Sequence, residues 1–394
     1  MRTRRSWLVI AAVVIALSAS IPGSAVGFGT IDSGGQNREH ERITRAALAC
    51  TDDAGSDADC FEPQSMDALA GHGREFGAIG APDRDELSLS AAHCDNADFL
   101  AGDYPQTRDQ ATAAAVDCIV QLQVRFEEGV RSAANLLDEH GQVIPDEVNL
   151  RPECHFREPR RDAQASDAAD GRAKCAFIEG LGRVLHGVQD FYAHSNWSDE
   201  ADPARPIGPD NPPGLNLPGP SSVLDLRGDT TPSLPSELTT GCYTLKDQVP
   251  GVGECERRVT HAALNKDRGL IDPTSGATTD PTTSRGRIEN NFAKAVAGAI
   301  AETRRQWQDL RSELTDRYGE QRGQMMICAL THDDPVKDCT DRPLGPVVGI
   351  VLLAILGIAA VVVMTLQTHR RRKVHTETTG RHKRHGLWRR RAPN

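Results

Sequence analysis

Residues 171–197, GRAKCAFIEGLGRVLHGVQDFYAHSNW, decide how the chain is read. Phe177, Ile178, Leu181, Val184, Leu185, Val188 and Tyr192 recur at helical spacing, which predicts an amphipathic helix over 171–196. At about 100° per residue, His186, Asp190 and His194 fall near 0°, 40° and 80°, a narrow stripe opposite the apolar side. An ordinary solvated face carries Lys, Glu, Arg and Gln. Two imidazoles flanking a carboxylate at i, i+4 spacing aim at one cation instead, and divalent zinc favours such nitrogen and oxygen donors. The expected helix buries one face in the core and presents this stripe on the other.

Working outward, 107–140 carries Val116, Ile119, Val120, Val124, Ala133, Leu136 and Leu137 in a helical pattern that stops at Gly141. Residues 287–322 repeat the pattern with Ile288, Phe292, Val296, Ala299, Thr303, Trp307, Leu310 and Leu314. A shorter helix over 39–50 follows from Ile43, Ala47 and Leu48. Strand-like alternation is nearly absent. Residues 202–240 contain nine prolines, and 268–285 are rich in Thr, Ser, Pro and Gly, so both read as long loops. The expected fold is all-α: one multi-helix domain over 28–335 with long Pro/Gly-rich loops and no internal repeat.

Both ends of the 394-residue chain carry segments that such a domain does not need. Residues 1–27 open with Arg2, Arg4 and Arg5, continue through an apolar stretch and end at Ala25-Val26-Gly27, the layout of a secretory signal peptide. Residues 344–366 are a 23-residue uncharged apolar run, long enough as a helix to span a hydrocarbon core of about 30 Å. The tail, 367–394, holds ten Lys and Arg against Glu377, which keeps it cytoplasmic by the positive-inside tendency. The expected protein is therefore a single-pass cell-membrane protein with an extracellular helical domain. The basic tail needs no partner beyond anionic lipid.

Setting aside the signal and the tail leaves 32 Lys and Arg against 54 Asp and Glu in 28–366, a net charge of −22. That field disfavours nucleic acid as a partner. Ten cysteines all lie between Cys50 and Cys339, an even number confined to the exported part, which reads as disulfides. No Cys-x-x-Cys occurs, so a thiolate zinc site is not expected. Neighbour pairing joins Cys50 with Cys60, Cys154 with Cys175, Cys242 with Cys255 and Cys328 with Cys339, leaving Cys94 for Cys118. Asn196-Trp197-Ser198 also satisfies a glycosylation sequon, a weak signal so close to the stripe.

One helix cannot complete a metal site, and three other places offer donors. Glu39-His40-Glu41 opens the first helix, Asp83 is followed ten residues later by His93-Cys94-Asp95, and His261 precedes Asp267 by six residues. In this order His40-x-x-Ile43, Asp83, His93, His186-x-x-x-Asp190, His194 and His261 resemble the ligands of zinc-dependent phospholipases C and of the single-strand nucleases that share their helical fold. HGVQDFYAHSNW, 186–197, looks most like the Het-C proteins of fungi and the bacterial CinY proteins. The likeness is spread over 28 to about 310.

The resemblance implies two or three zinc ions. One would take the amino group of Phe28, exposed by cleavage after Gly27, together with His40. A second would take Asp83, His93, His186 and Asp190, with Asp83 doubling as general base. A third would take His194 and His261 with an acid. The family pattern places a Glu four residues after the later His, where this chain has Asn265, so Asp267 is the nearest candidate. The implied activity is a phospholipase C-type hydrolase that cleaves a phospholipid or other phosphodiester with metal-activated water. The alternatives are a catalytically degenerate Het-C-like ectodomain with a structural metal and a recognition role, and a nuclease of the same fold.

Overall fold

The computed structural model describes residues 27–51, 59–156, 171–228, 233–243 and 253–339, all within the first of two units into which the chain divides, 1–340. The expected signal 1–26, the span 344–366 and the tail 367–394 lie outside the described residues. No helix of the described residues is long and apolar enough to cross a membrane.

The fold is mostly helical. In chain order the helices are α1 Glu39–Leu48, α2 Pro63–Ala70, α3 Ala81–Asp85, α4 Arg108–Ala133, α5 Pro145–Val148, α6 Ala173–His194, α7 His261–Leu264, α8 Asn291–Tyr318, α9 Glu320–Thr331 and α10 Pro335–Asp338. A short antiparallel hairpin, β1 Leu270–Ile271 with β2 Thr278–Thr279, interrupts the stretch expected to be purely loop.

Local chemistry explains the boundaries. Proline occupies the first turn of α2, α3, α5 and α10, where its missing N–H is not needed. Thr107 and Gln110 form a reciprocal capping box at the start of α4. The periodicity over 107–140 and 287–322 predicts longer helices than form. The first gives way to a 3-10 turn at Ala134–Leu136. The second breaks at Gly319, whose φ of 83° starts a new helix in another direction.

Helix α6 sits at the centre, packed against α4, α8 and α2. Phe177, Leu181, Val184, Leu185 and Val188 have no exposed surface, and burial of each such side chain contributes roughly 1.5–3 kcal/mol relative to exposure. The expected exposed face is a correction: from Gly180 to His194 every residue of α6 is buried, the stripe included. His186, Asp190 and His194 face other segments of the chain. These are the segments that carry His40, Ile79, Asp83, His93, Asp95 and His261, each in contact with a stripe residue. The Asn196 side chain donates to the Pro213 and Glu237 carbonyls, at 2.9 and 2.8 Å, and accepts from the Thr239 N–H.

Five disulfides close in neighbour order: Cys50–Cys60, Cys94–Cys118, Cys154–Cys175, Cys242–Cys255 and Cys328–Cys339. Each joins residues no more than 24 apart, so they tie loops to adjacent helices and leave the long-range packing to the core.

Candidate metal centre

Asp190 is the hub. Its Oδ2 lies 3.0 Å from His93 Nδ1 and 3.1 Å from His186 Nε2, and these two nitrogens are 3.0 Å apart. Asp83 Oδ1 approaches the same point, 3.6 Å from His186 Nε2 and 4.0 Å from His93 Nδ1. On the other side Asp190 Oδ1 lies 3.2 Å from His40 Nε2 and accepts the Phe28 N–H, also at 3.2 Å. One carboxylate thus joins two donor sets. A third set gathers at the end of α6: His194 Nδ1 is 3.3 Å from Asp95 Oδ1, and the His194 and His261 rings are 3.8 Å apart.

These separations fit a cation. Four ligands at 2.0–2.1 Å around a tetrahedral zinc are about 3.3 Å from one another, close to the spacings observed. Several pairs have the distance of a hydrogen bond without its alignment. Among the described residues, His40 Nε2, Asp83 Oδ1, Asp95 Oδ1, both His194 nitrogens, His261 Nδ1 and His93 Nε2 have no hydrogen-bond partner. An unpaired buried polar group costs about 1–3 kcal/mol, and here seven such atoms are gathered in one place. His40, Asp83 and His186; His93, His186 and Asp190; and Asp95, His194 and His261 each form a group that could hold a metal ion. A fourth group, Cys328, His332 and Cys339, is accounted for by its disulfide.

Outer contacts set the ring orientations. His186 Nδ1–H donates to the Ile79 carbonyl at 2.9 Å, which turns its Nε2 lone pair inward. His40 Nδ1–H donates to Gln189 Oε1 at 2.8 Å, and Gln189 Nε2 donates in turn to the Thr44 and Thr303 hydroxyls. The Thr30 hydroxyl donates to Asp83 Oδ2 at 2.9 Å, leaving Oδ1 free.

The electrostatics differ between the sets. Burial opposes charge on Asp190, but His186 and His40 beside it hold its carboxyl well below the usual range. Burial likewise opposes charge on His93, yet the hydrogen bond and charge of Asp190, with Asp83 and Asp95, raise it to about 9. His40 is also raised, burial being outweighed mainly by Asp190. In the third set burial dominates. His194 and His261 are lowered to about 3, and Asp95 is pushed up to about 7. Two neutral imidazoles with inward lone pairs are in the protonation state that metal binding requires.

The structure brings Phe28, His40, Asp83, His93, His186, Asp190, His194 and His261 together. Asp267 joins none of the three sets. It is buried, with both carboxylate oxygens lacking hydrogen bonds among the described residues and its pKa raised well above the ordinary value by burial, and the Arg268 guanidinium lies 3.8 Å away. The carboxylate beside His194 and His261 is Asp95, which sequence reasoning passed over. The signal was present in His93-Cys94-Asp95, but Cys94 has φ 55°, a left-handed turn that sends residues 93 and 95 to different sets.

Comparison with family models, with curated proteins and with solved structures finds no match to this chain.

Proposed function

We propose that the chain is a cell-surface, zinc-dependent phosphodiesterase of phospholipase C type, anchored through 344–366 with its helical domain outside and its tail in the cytoplasm. The observation that carries this reading is the Asp190 carboxylate shared between two donor sets drawn from four segments of the chain. His93, His186, Asp190 and Asp83 would hold one ion; His40, Asp190 and the amino group of a processed Phe28 a second; Asp95, His194 and His261 a third. Bound zinc supplies an activated water near neutral pH and neutralises charge that develops on phosphoryl oxygens.

The protein's own groups supply the rest. Asp83 is the general base: Thr30 fixes one oxygen and the other is unpaired, placed to take a proton from a water attacking phosphorus. Gln189 and the Ile79 carbonyl hold the imidazoles in one orientation each. A phospholipid headgroup is the substrate class that a membrane anchor favours. The net charge of −22 over 28–366 works against the nuclease alternative.

One observation favours a second reading, a Het-C-like ectodomain whose metals are structural. His40, His186, Asp190 and His194 are completely buried, and Asp83 is the most exposed donor, with 9 % of its side chain accessible. Metal analysis combined with hydrolysis of a nitrophenyl phosphodiester separates the two. Two or three zinc equivalents, lost together with hydrolysis in His186→Ala, are expected. One equivalent without hydrolysis would assign the scaffold role.

A further inference from the structure

Tyr243 follows Cys242, which is disulfide-bonded to Cys255, and its main chain is clamped by a side chain adjacent to a metal-set residue. The Tyr243 N–H donates to Asn96 Oδ1 at 2.8 Å, and Asn96 Nδ2 donates back to the Tyr243 carbonyl at 3.2 Å. Asn96 is the neighbour of Asp95, so one clamp fixes both the carboxylate and the tyrosine. The phenol ring lies against His261, with centroids 5.2 Å apart and planes tilted by 47°.

Two features make this ring more than packing. Tyr243 is half-buried while His194, His261 and Asp95 are at most 3 % exposed, so it is more accessible than the ligands it lies beside. Its hydroxyl makes no hydrogen bond among the described residues. The Asp95 and Asp83 carboxylates lie near the phenol, and an ordinary phenol keeps its proton at neutral pH and can donate. A neutral O–H beside a cluster of cation ligands matches one chemistry well: a phosphoryl oxygen that the cations also attract.

We propose that the Tyr243 phenol is the hydrogen-bond donor to a non-bridging oxygen of the phosphoryl group, and so a substrate-contacting residue. This rests on the phosphodiesterase reading. The test compares the zinc-loaded full chain, purified in detergent, with its Tyr243→Phe variant, using inorganic phosphate as the probe. Zinc content should be equal and phosphate affinity about ten-fold weaker in the variant, the loss expected for one hydrogen bond to a charged acceptor. Equal phosphate affinity in the two proteins overturns the assignment, as does loss of zinc from the variant, which would make the ring a support for His261. Hydrolysis measured alongside keeps the two claims apart. A wild-type protein that binds phosphate more tightly than the variant yet cleaves no diester leaves Tyr243 in its role and removes the phosphodiesterase.

Discussion

The donor set around Asp190 and the one around Asp95 both draw on α6 yet solve burial in opposite ways. Around Asp190 the charges neutralise one another, the carboxylate ionised and His93 and His40 raised. Around Asp95 the groups give up charge instead, both imidazoles lowered and the carboxyl raised. The first resembles a buried ion-pair network, with unpaired atoms left on His40, Asp83 and His93. The second has few compensating contacts, which makes it the more dependent on an added cation.

The largest break in this contrast is expected from Asp190→Asn. It removes a ligand from two sets at once and should reduce zinc content by two equivalents and abolish diester hydrolysis, as read by elemental analysis and a nitrophenyl assay. Asp95→Asn should remove a single equivalent and leave the Asp190 sets loaded. Loss of all zinc in Asp95→Asn would mean that the two regions assemble as one. A chain that retains one residue before Phe28 should bind the ion beside His40 roughly 10–100-fold more weakly, as a damaged ligand contact would. The space is tight: a Cβ on Gly27 would lie 2.1 Å from Asp190 Oδ1. Unchanged affinity would leave Phe28 as packing only.

The smallest effect concerns Asp267. Its folded pKa is raised above 3.8, so at pH 7 the unfolded chain has released a proton that the folded chain still favours, and stability falls as pH rises above 3.8. Asp267→Asn should leave zinc content unchanged and raise Tm at pH 7 by about 1–2 °C, the shift that ~1 kcal/mol gives in a domain of roughly 300 residues. The gain should shrink toward pH 4. A lost zinc equivalent would restore Asp267 to the ligand set.

Much of this architecture is legible in the sequence where regular periodicity applies. The 3.6-residue repeat locates α6 within two residues at each end and places His186 and Asp190 one turn apart. The repeat cannot report that α6 is enclosed on every side, because that depends on how the distant segments carrying His40, Asp83, His93 and His261 pack against it. Reading fails most clearly after His261. A His-x-x-x-acid pair needs a helix that reaches the fourth residue, and α7 ends at Leu264, with Asn265 already extended at ψ 121°. Asn265 then accepts the Asp267 N–H at 2.9 Å in a local turn and turns no carboxylate toward His261. The required acid comes instead from 166 positions earlier, across a left-handed cysteine.

Asn196 carries a different consequence. Its amide is fully enclosed and committed to three backbone partners, although the tripeptide it heads is an acceptor for oligosaccharide transfer. In an expression host that attaches glycans during export, a sugar can reach Asn196 only before the loop closes over it. Chains bearing one would then be locked out of the native state, so a glycan-sized mass increase at this position would mark the material that failed to mature.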